Sequence, residues 1–446
     1  MNSSKTNLAF FIGLLALCLA MNPASAKVFP EPAQLPAQPD MPDPLVMFSG
    51  QRVASPAEWF ARRRPELKAL FQHYMYGAMP PAPTHETFTV EREDRHFFGG
   101  KATKKEIAIR VSENADAPVI HLLLVIPNAA PQKTPAHAGA GSVRGAEQLT
   151  SPTRRGFPVI LGANFYGNHA VVADRGVALP TVWMPKSAPG RVDNRATEAG
   201  RGAQTNSWAV EQSIDRGYAV ATFYCGDVEP DTNGAPAGLR AWLHRESPAN
   251  DTGAIAAWAW GLSRAVDYLV TDRDLDARRI GVVGHSRLGK TAMLAAAFDE
   301  RIAAAIPVQS GCGGTAPSRG KIGESVKAIN TAFPHWFNAA FKQFNESPDR
   351  LPFDQHCLIA LAAPRPVLIT CATEDTWANP AGQFAMLRAA DPVYRFLGVE
   401  GLKSASLPAH DEFECSRLTY YIRRGKHSIT PGDWKIILDF ADREMR

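Results

Sequence analysis

Several classes of protein are excluded by what this sequence has little of. It has one long apolar run, at its very start, so a chain that crosses a bilayer repeatedly is excluded. It has no excess of one charge: 48 Lys and Arg stand against 44 Asp and Glu, and nothing points to a nucleic-acid partner. Cysteine is scarce, six in 446 residues, and none falls in a CxxC or Cys/His pattern with metal spacing. No repeat of 20–50 residues recurs. Gly and Pro (34 and 35) do not reach low-complexity levels. What remains is an ordinary globular composition, 45% hydrophobic and 21% charged, long enough for a large core.

The apolar run reads as a leader. Lys5 precedes the continuous stretch Leu8–Met21, and Ala24-Ser25-Ala26 supplies the small-x-small cleavage pattern. Export with cleavage after Ala26 is the expectation, to the periplasm or the medium. A lipoprotein would use Cys18, but Leu17 stands where a small residue is needed. Removing the leader leaves five cysteines, an odd number, read as buried thiols: Cys225, Cys312, Cys357, Cys371 and Cys415.

Residues 27–446 read as a single domain. A Pro-rich arm over 27–60 leads into helical spacing at Trp59–Tyr76 and strand-like alternation within Glu86–Arg110. Val119–Ile126 is a buried strand. Residues 129–156 are a surface insertion, and 171–206 form a second, Trp-bearing one of the kind that makes lids or binding surfaces. Strands are predicted at Phe157–Gly162, Tyr218–Tyr224, Arg279–Val283, Ala303–Val308, Pro366–Ala372 and Leu418–Ile422. Helices are predicted at Val210–Arg216, Thr252–Leu269 (capped by Asp251 or Thr252), Arg287–Phe298, Gly382–Ala390 and Asp433–Arg443. The alternation implies an α/β fold: a mostly parallel sheet covered by helices on both faces, a three-layer sandwich.

The strongest chemical signal is Gly284-His285-Ser286-Arg287-Leu288-Gly289-Lys290, where a short strand turns at once into an Ala-rich helix. This is the nucleophile elbow of the α/β-hydrolases, although the second Gly comes one residue late, with Leu288 in its place. A serine hydroxyl needs a base, and the base an orienting acid, in the chain order Ser, acid, His. Asp375 follows strand Pro366–Ala372 and His427 follows strand Leu418–Ile422. Glu374 competes for the acid role. His410, in a charged loop, and His356, in a helical stretch, compete for the base.

These motifs resemble the glucuronoyl esterases, carbohydrate esterase family 15, from about Phe157 to Trp434. Beside the elbow heptad, the matching stretches are Phe157–Asn168, Asp354–Ile369, Glu374-Asp375-x-Trp377 and Gly425-x-His427 before Asp433-Trp434. The resemblance implies hydrolysis of esters between 4-O-methyl-D-glucuronic acid on xylan and lignin alcohols, with no metal or organic cofactor. It implies Ser286 as nucleophile, His427 as base, Arg287 at the oxyanion, and Lys290, Glu324 and Trp377 on the sugar. Two departures stand out. Gln309 occupies the place of a glutamate that many members carry, which leaves Asp375 as the acid. His285 and Ser428 replace cysteines that fungal members bridge. The alternatives are another carboxylesterase of the fold, such as an acetyl-xylan esterase, or a non-catalytic carbohydrate-binding relative. No partner subunit is called for, and a monomer is the expectation.

Overall fold

A computed structural model describes residues 29–129, 156–247 and 249–445. The leader at 1–26 and nearly all of the insertion at 129–156 lie outside the described residues.

The order in which strands pair follows from where their sequences are apolar. β4 (Phe157–Asn164), β5 (Ala219–Tyr224), β7 (Ala304–Val308) and β8 (Val367–Ala372) are buried along their whole length. Continuous apolar runs of this kind suit the middle of a sheet covered on both faces. β6 (Leu275–His285) and β9 (Leu418–Arg423) complete a parallel block in the order β5-β4-β6-β7-β8-β9. Three antiparallel strands extend it: β3 (Val119–Pro127) pairs β5, β2 (Ala102–Arg110) pairs β3, and β1 (Thr87–His96) forms the edge. β1 carries Glu91-Arg92-Glu93-Asp94-Arg95 and is largely exposed, a charged edge that discourages pairing with another chain.

Side-chain alternation splits the core into two layers. Val159, Leu161, Ala221, Phe223, Ile280 and Val282 pack on one face with the helices Ala254–Leu269, Arg287–Phe298 and Pro380–Phe396. Ile160, Val220, Val283 and Ile306 pack on the other with Val210–Asp215 and the closing helix Pro431–Glu444. The expected three-layer sandwich is present.

The Ala254–Leu269 helix is buried nearly all round, so its small residues let neighbours approach closely. Its cap differs from the predicted one. The N-cap is Gly253, without a side-chain hydrogen bond. A Cβ there would lie 2.4 Å from the Trp336 carbonyl oxygen, so only glycine fits. Asp251 and Thr252 are drawn away instead: Asp251 Oδ1 accepts the Ala78 N–H and Thr252 Oγ1 donates to the Ala78 carbonyl.

The Pro-rich arm wraps the domain. Phe29, Leu35, Leu45 and Met47 enter the core, Tyr74 donates its hydroxyl to the Pro30 carbonyl, and His356 Nε2 meets the Pro42 carbonyl at 2.7 Å. Parallel pairing brings the C-terminal ends of β4, β6, β7, β8 and β9 to one rim, the usual place for a site in such sheets.

Candidate active site

Ser286 stands at the β6 rim with φ 57° and ψ −127°, a backbone conformation that costs about 1–3 kcal/mol for a residue with a side chain. The surroundings over-determine it. Its N–H donates to the Val308 carbonyl (2.9 Å), and its carbonyl accepts from the N–H groups of Gly289 (2.9 Å) and Lys290 (3.2 Å). Gly284 makes the tight turn possible, since a Cβ there would sit 2.0 Å from the Leu288 carbonyl oxygen. A Cβ on Gly289 would come within 2.9 Å of the Gly284 oxygen, so the late glycine still serves close packing of the elbow. The Arg287–Phe298 helix begins immediately after Ser286, which places its first-turn N–H groups and dipole beside the hydroxyl.

His427 follows β9, and Asp375 follows β8. Backbone hydrogen bonds tie the two loops together: Thr373 N–H to the Arg423 carbonyl and Glu374 N–H to the Gly425 carbonyl, both 2.9 Å. His427 Nδ1 lies 2.7 Å from Asp375 Oδ2. A carboxylate only accepts, so Nδ1 carries the proton and Nε2 is left as the basic nitrogen. Asp375 is buried, with 4% side-chain exposure against 41% for His427. Glu374 is exposed. His410 sits in an exposed loop, and His356 is buried against the N-terminal arm.

Ser286, Arg287 and His427 line one cavity of about 300 Å³, together with His285, Phe165, Tyr166, Trp208 and Trp434. Arg287 is fixed from two sides. Its guanidinium carbon lies 4.5 Å from the centre of the Phe165 ring, and its Nε forms a 2.7 Å ion pair with Asp231. Asp231 is held in turn by Trp336 Nε1–H (2.8 Å) and His335 Nε2 (2.7 Å). Burial works against its charge, but His335, Arg287 and Trp336 outweigh that and hold its carboxyl below the usual range. Asp231 and His335 carry no motif in the sequence, and Asp231 lies in a stretch readable only as loop; Phe165 falls in the matching stretch Phe157–Asn168, but nothing there marks it as a partner of Arg287.

Lys290, Glu324 and Trp377 gather next to Asp375. Asp375 accepts at the start of the Thr376–Ala378 turn that carries Trp377. Glu324 N–H donates to the Trp377 carbonyl (2.9 Å), and Lys290 Nζ lies 3.9 Å from Glu324 Oε2. Trp377 is 59% exposed, so its indole is a platform and not core. Lys290 is buried and spends two of its three N–H donors on the carbonyls of Ser310 and Cys312, 2.6 Å each. Burial pushes the Lys290 pKa down, against the pull of Glu324, and pushes that of Glu324 up, against Lys290. The five cysteines outside the leader are all free thiols, four of them buried. Among the described residues no group of three or more His, Cys, Asp or Glu could hold a metal ion, and no helix is long and apolar enough to cross a membrane.

The strand order, the elbow after β6 and the loops after β8 and β9 define an α/β-hydrolase. Comparison with known proteins narrows the class. A family model described as glucuronyl esterase, fungi, matches residues 199–398. The carbohydrate esterase MZ0003 from an unknown prokaryotic organism is 42% identical over 418 residues, 93% of this chain and 91% of its own. A solved glucuronoyl esterase from Solibacter usitatus superposes with a TM-score of 0.80 at 38% identity, covering 92% of this chain and 99% of that one. A 4-O-methyl-glucuronoyl methylesterase from Schizophyllum commune is 28% identical, covering 86% of this chain and 81% of its own. The chain belongs to carbohydrate esterase family 15, the glucuronoyl esterases, and is a carboxylic ester hydrolase.

Proposed function

We propose that this enzyme cleaves the ester between 4-O-methyl-D-glucuronic acid of xylan and an alcohol of lignin, through an acyl-enzyme on Ser286. The 2.7 Å pairing of buried Asp375 with His427, which lines the same cavity as the Ser286 elbow, carries the reading. Ser286 Oγ attacks the ester carbonyl while His427 Nε2 takes its proton. The oxyanion forms beside the Arg287 guanidinium and the N–H groups of the first helical turn. Collapse expels the alcohol, which receives the proton from His427. Water then repeats the sequence and releases the uronic acid. Asp375 keeps the His427 proton on Nδ1 and stabilises the imidazolium.

Sugar recognition falls to Lys290, Glu324 and Trp377. The indole offers a flat face for a pyranose ring, and the buried Lys–Glu pair supplies directional donors and acceptors. The relatives named for glucuronoyl ester cleavage support the same substrate. The leader at residues 1–26 directs the enzyme out of the cytoplasm, to the periplasm or the medium, where such polymers are met.

A panel of methyl glucuronate, methyl galacturonate and an acetyl ester tests the assignment. Preference for the glucuronate by an order of magnitude or more in kcat/KM is expected. Equal rates on the acetyl ester would make the chain a general carboxylesterase instead.

A further inference from the structure

Gln309 lies at the end of β7, between the nucleophile strand and the loop that carries the base. It is 1% exposed and holds φ at 50°, in the left-handed region that few residues with long side chains adopt. Its own N–H is anchored to the Thr370 carbonyl of β8 at 2.8 Å. The side-chain amide reaches across to Ser428, the residue after His427. Oε1 accepts the Ser428 N–H at 2.9 Å, and Nε2 donates to the Ser428 carbonyl at 3.0 Å. One amide therefore pairs both backbone groups of one residue, as a neighbouring strand would. The same Oε1 lies 3.2 Å from His285 Nε2.

The donor pattern is forced. A backbone N–H can only donate, so the atom facing it is Oε1, and the His285 nitrogen facing Oε1 must carry a proton. His285 thus uses its Nε2–H on Gln309 while its ring lies 4.5 Å from the ring of His427. Burial, and then the neighbouring His427, push the His285 pKa down to about 3, so the ring beside the base stays neutral.

We propose that Gln309 is a positioning residue for the reaction: its reciprocal pairing with Ser428 sets the height of His427 on the rim, where Nδ1 meets Asp375 and Nε2 serves Ser286. The proposal rests on the reading of His427 as the base. An apolar side chain of the same length makes neither bond. A carboxylate could accept from Ser428 N–H but would set one oxygen against the Ser428 carbonyl. The amide is the group that satisfies both.

The test uses two variants of the full chain, with methyl glucuronate as substrate. Gln309→Met keeps the length and removes both bonds. Gln309→Asn keeps an amide, tolerates the left-handed backbone and withdraws the group from Ser428, so it serves if Gln309→Met does not fold. Each is expected to lower kcat about 10-fold or more with KM within 2-fold. Fluorophosphonate labelling of Ser286 should slow in the same proportion. The downfield proton signal of the His427–Asp375 hydrogen bond should weaken or shift. A merely structural role would lower Tm and leave kcat of the folded enzyme and that signal in place. A folded variant with kcat within 2-fold of wild type and an unchanged downfield proton would overturn the proposal. His427→Ala, run alongside, separates the two readings: if it stays active, the base assignment fails, and the positioning role fails with it.

Discussion

Asp375 and Glu374 are adjacent in sequence and opposite in circumstance. Asp375 is buried and bonded to His427, whereas Glu374 is exposed and enters the site only through its backbone N–H. Asp375→Asn is therefore expected to lower kcat about 1,000-fold or more, because an amide facing Nδ1 stabilises the wrong tautomer. Glu374→Gln should stay within 2-fold. Steady-state rates on methyl glucuronate for the pair decide between the two acids, and the reverse ranking would move the acid by one residue. Trp377→Ala removes the exposed platform without touching the acid, so KM should rise about 5- to 20-fold with kcat little changed, measured on the same substrate. The identity of these residues was legible in the sequence, because strand ends fix where an acid and a histidine emerge. The sequence also favoured Asp375 over Glu374; what it did not show is how the Thr376–Ala378 turn caps itself on Asp375 and holds that carboxylate inward.

At the scale of elements, the site is a set of loop joints held by backbone geometry. The elbow tolerates no side chain at Gly284, where a Cβ would meet the Leu288 carbonyl at 2.0 Å. Gly284→Ala should destabilise the enzyme by several kcal/mol or prevent folding, read as a fall in Tm or in soluble yield. Arg287 is oriented by the loop that follows β5, through Asp231. Asp231→Asn leaves the fold largely able to form but releases the guanidinium, so kcat should drop about 10- to 100-fold while the His427–Asp375 pair stays intact. An unchanged kcat in this variant would show that Asp231 serves stability alone. Helices and strands of the parallel block were legible from apolar runs and turn residues. The Asp231 anchor was not, because nothing in the Glu229–Gly234 stretch distinguishes it from any polar loop until the Arg287 helix is set against it. The cap of the Ala254–Leu269 helix shows the same limit: local preference favours Asp251 or Thr252, but the Trp336 backbone leaves room only for Gly253.

For the molecule as a whole, buried titratable groups shape the response to acid in both directions: buried neutral histidines cost stability as the pH falls, while burial raises the carboxyls of Glu86 to about 8 and Glu229 to about 7, which add stability over the same range. His169 is buried in the short helix Asn168–Val171 beyond β4, and burial together with the Arg201 charge pushes its pKa down to about 4. In the unfolded chain the same group titrates near 6.5. Between those values the unfolded state binds the proton that the folded state refuses, so the share of stability tied to His169 is full above about pH 6.5 and declines as the pH falls toward 4. His285 adds to the effect in the same direction. The share of His169 is read as a difference: between pH 7 and pH 5 the stability of His169→Asn, followed by thermal melts, should fall less than that of the wild type. Equal losses would assign the acid response elsewhere.

The mechanism as a whole requires that Ser286 Oγ carry the acyl group. The most direct measurement compares turnover of benzyl glucuronate by the wild type and by Ser286→Ala, with folding confirmed by circular dichroism. A loss of about 1,000-fold or more in a folded variant is the predicted result, and turnover close to that of the wild type would contradict the account.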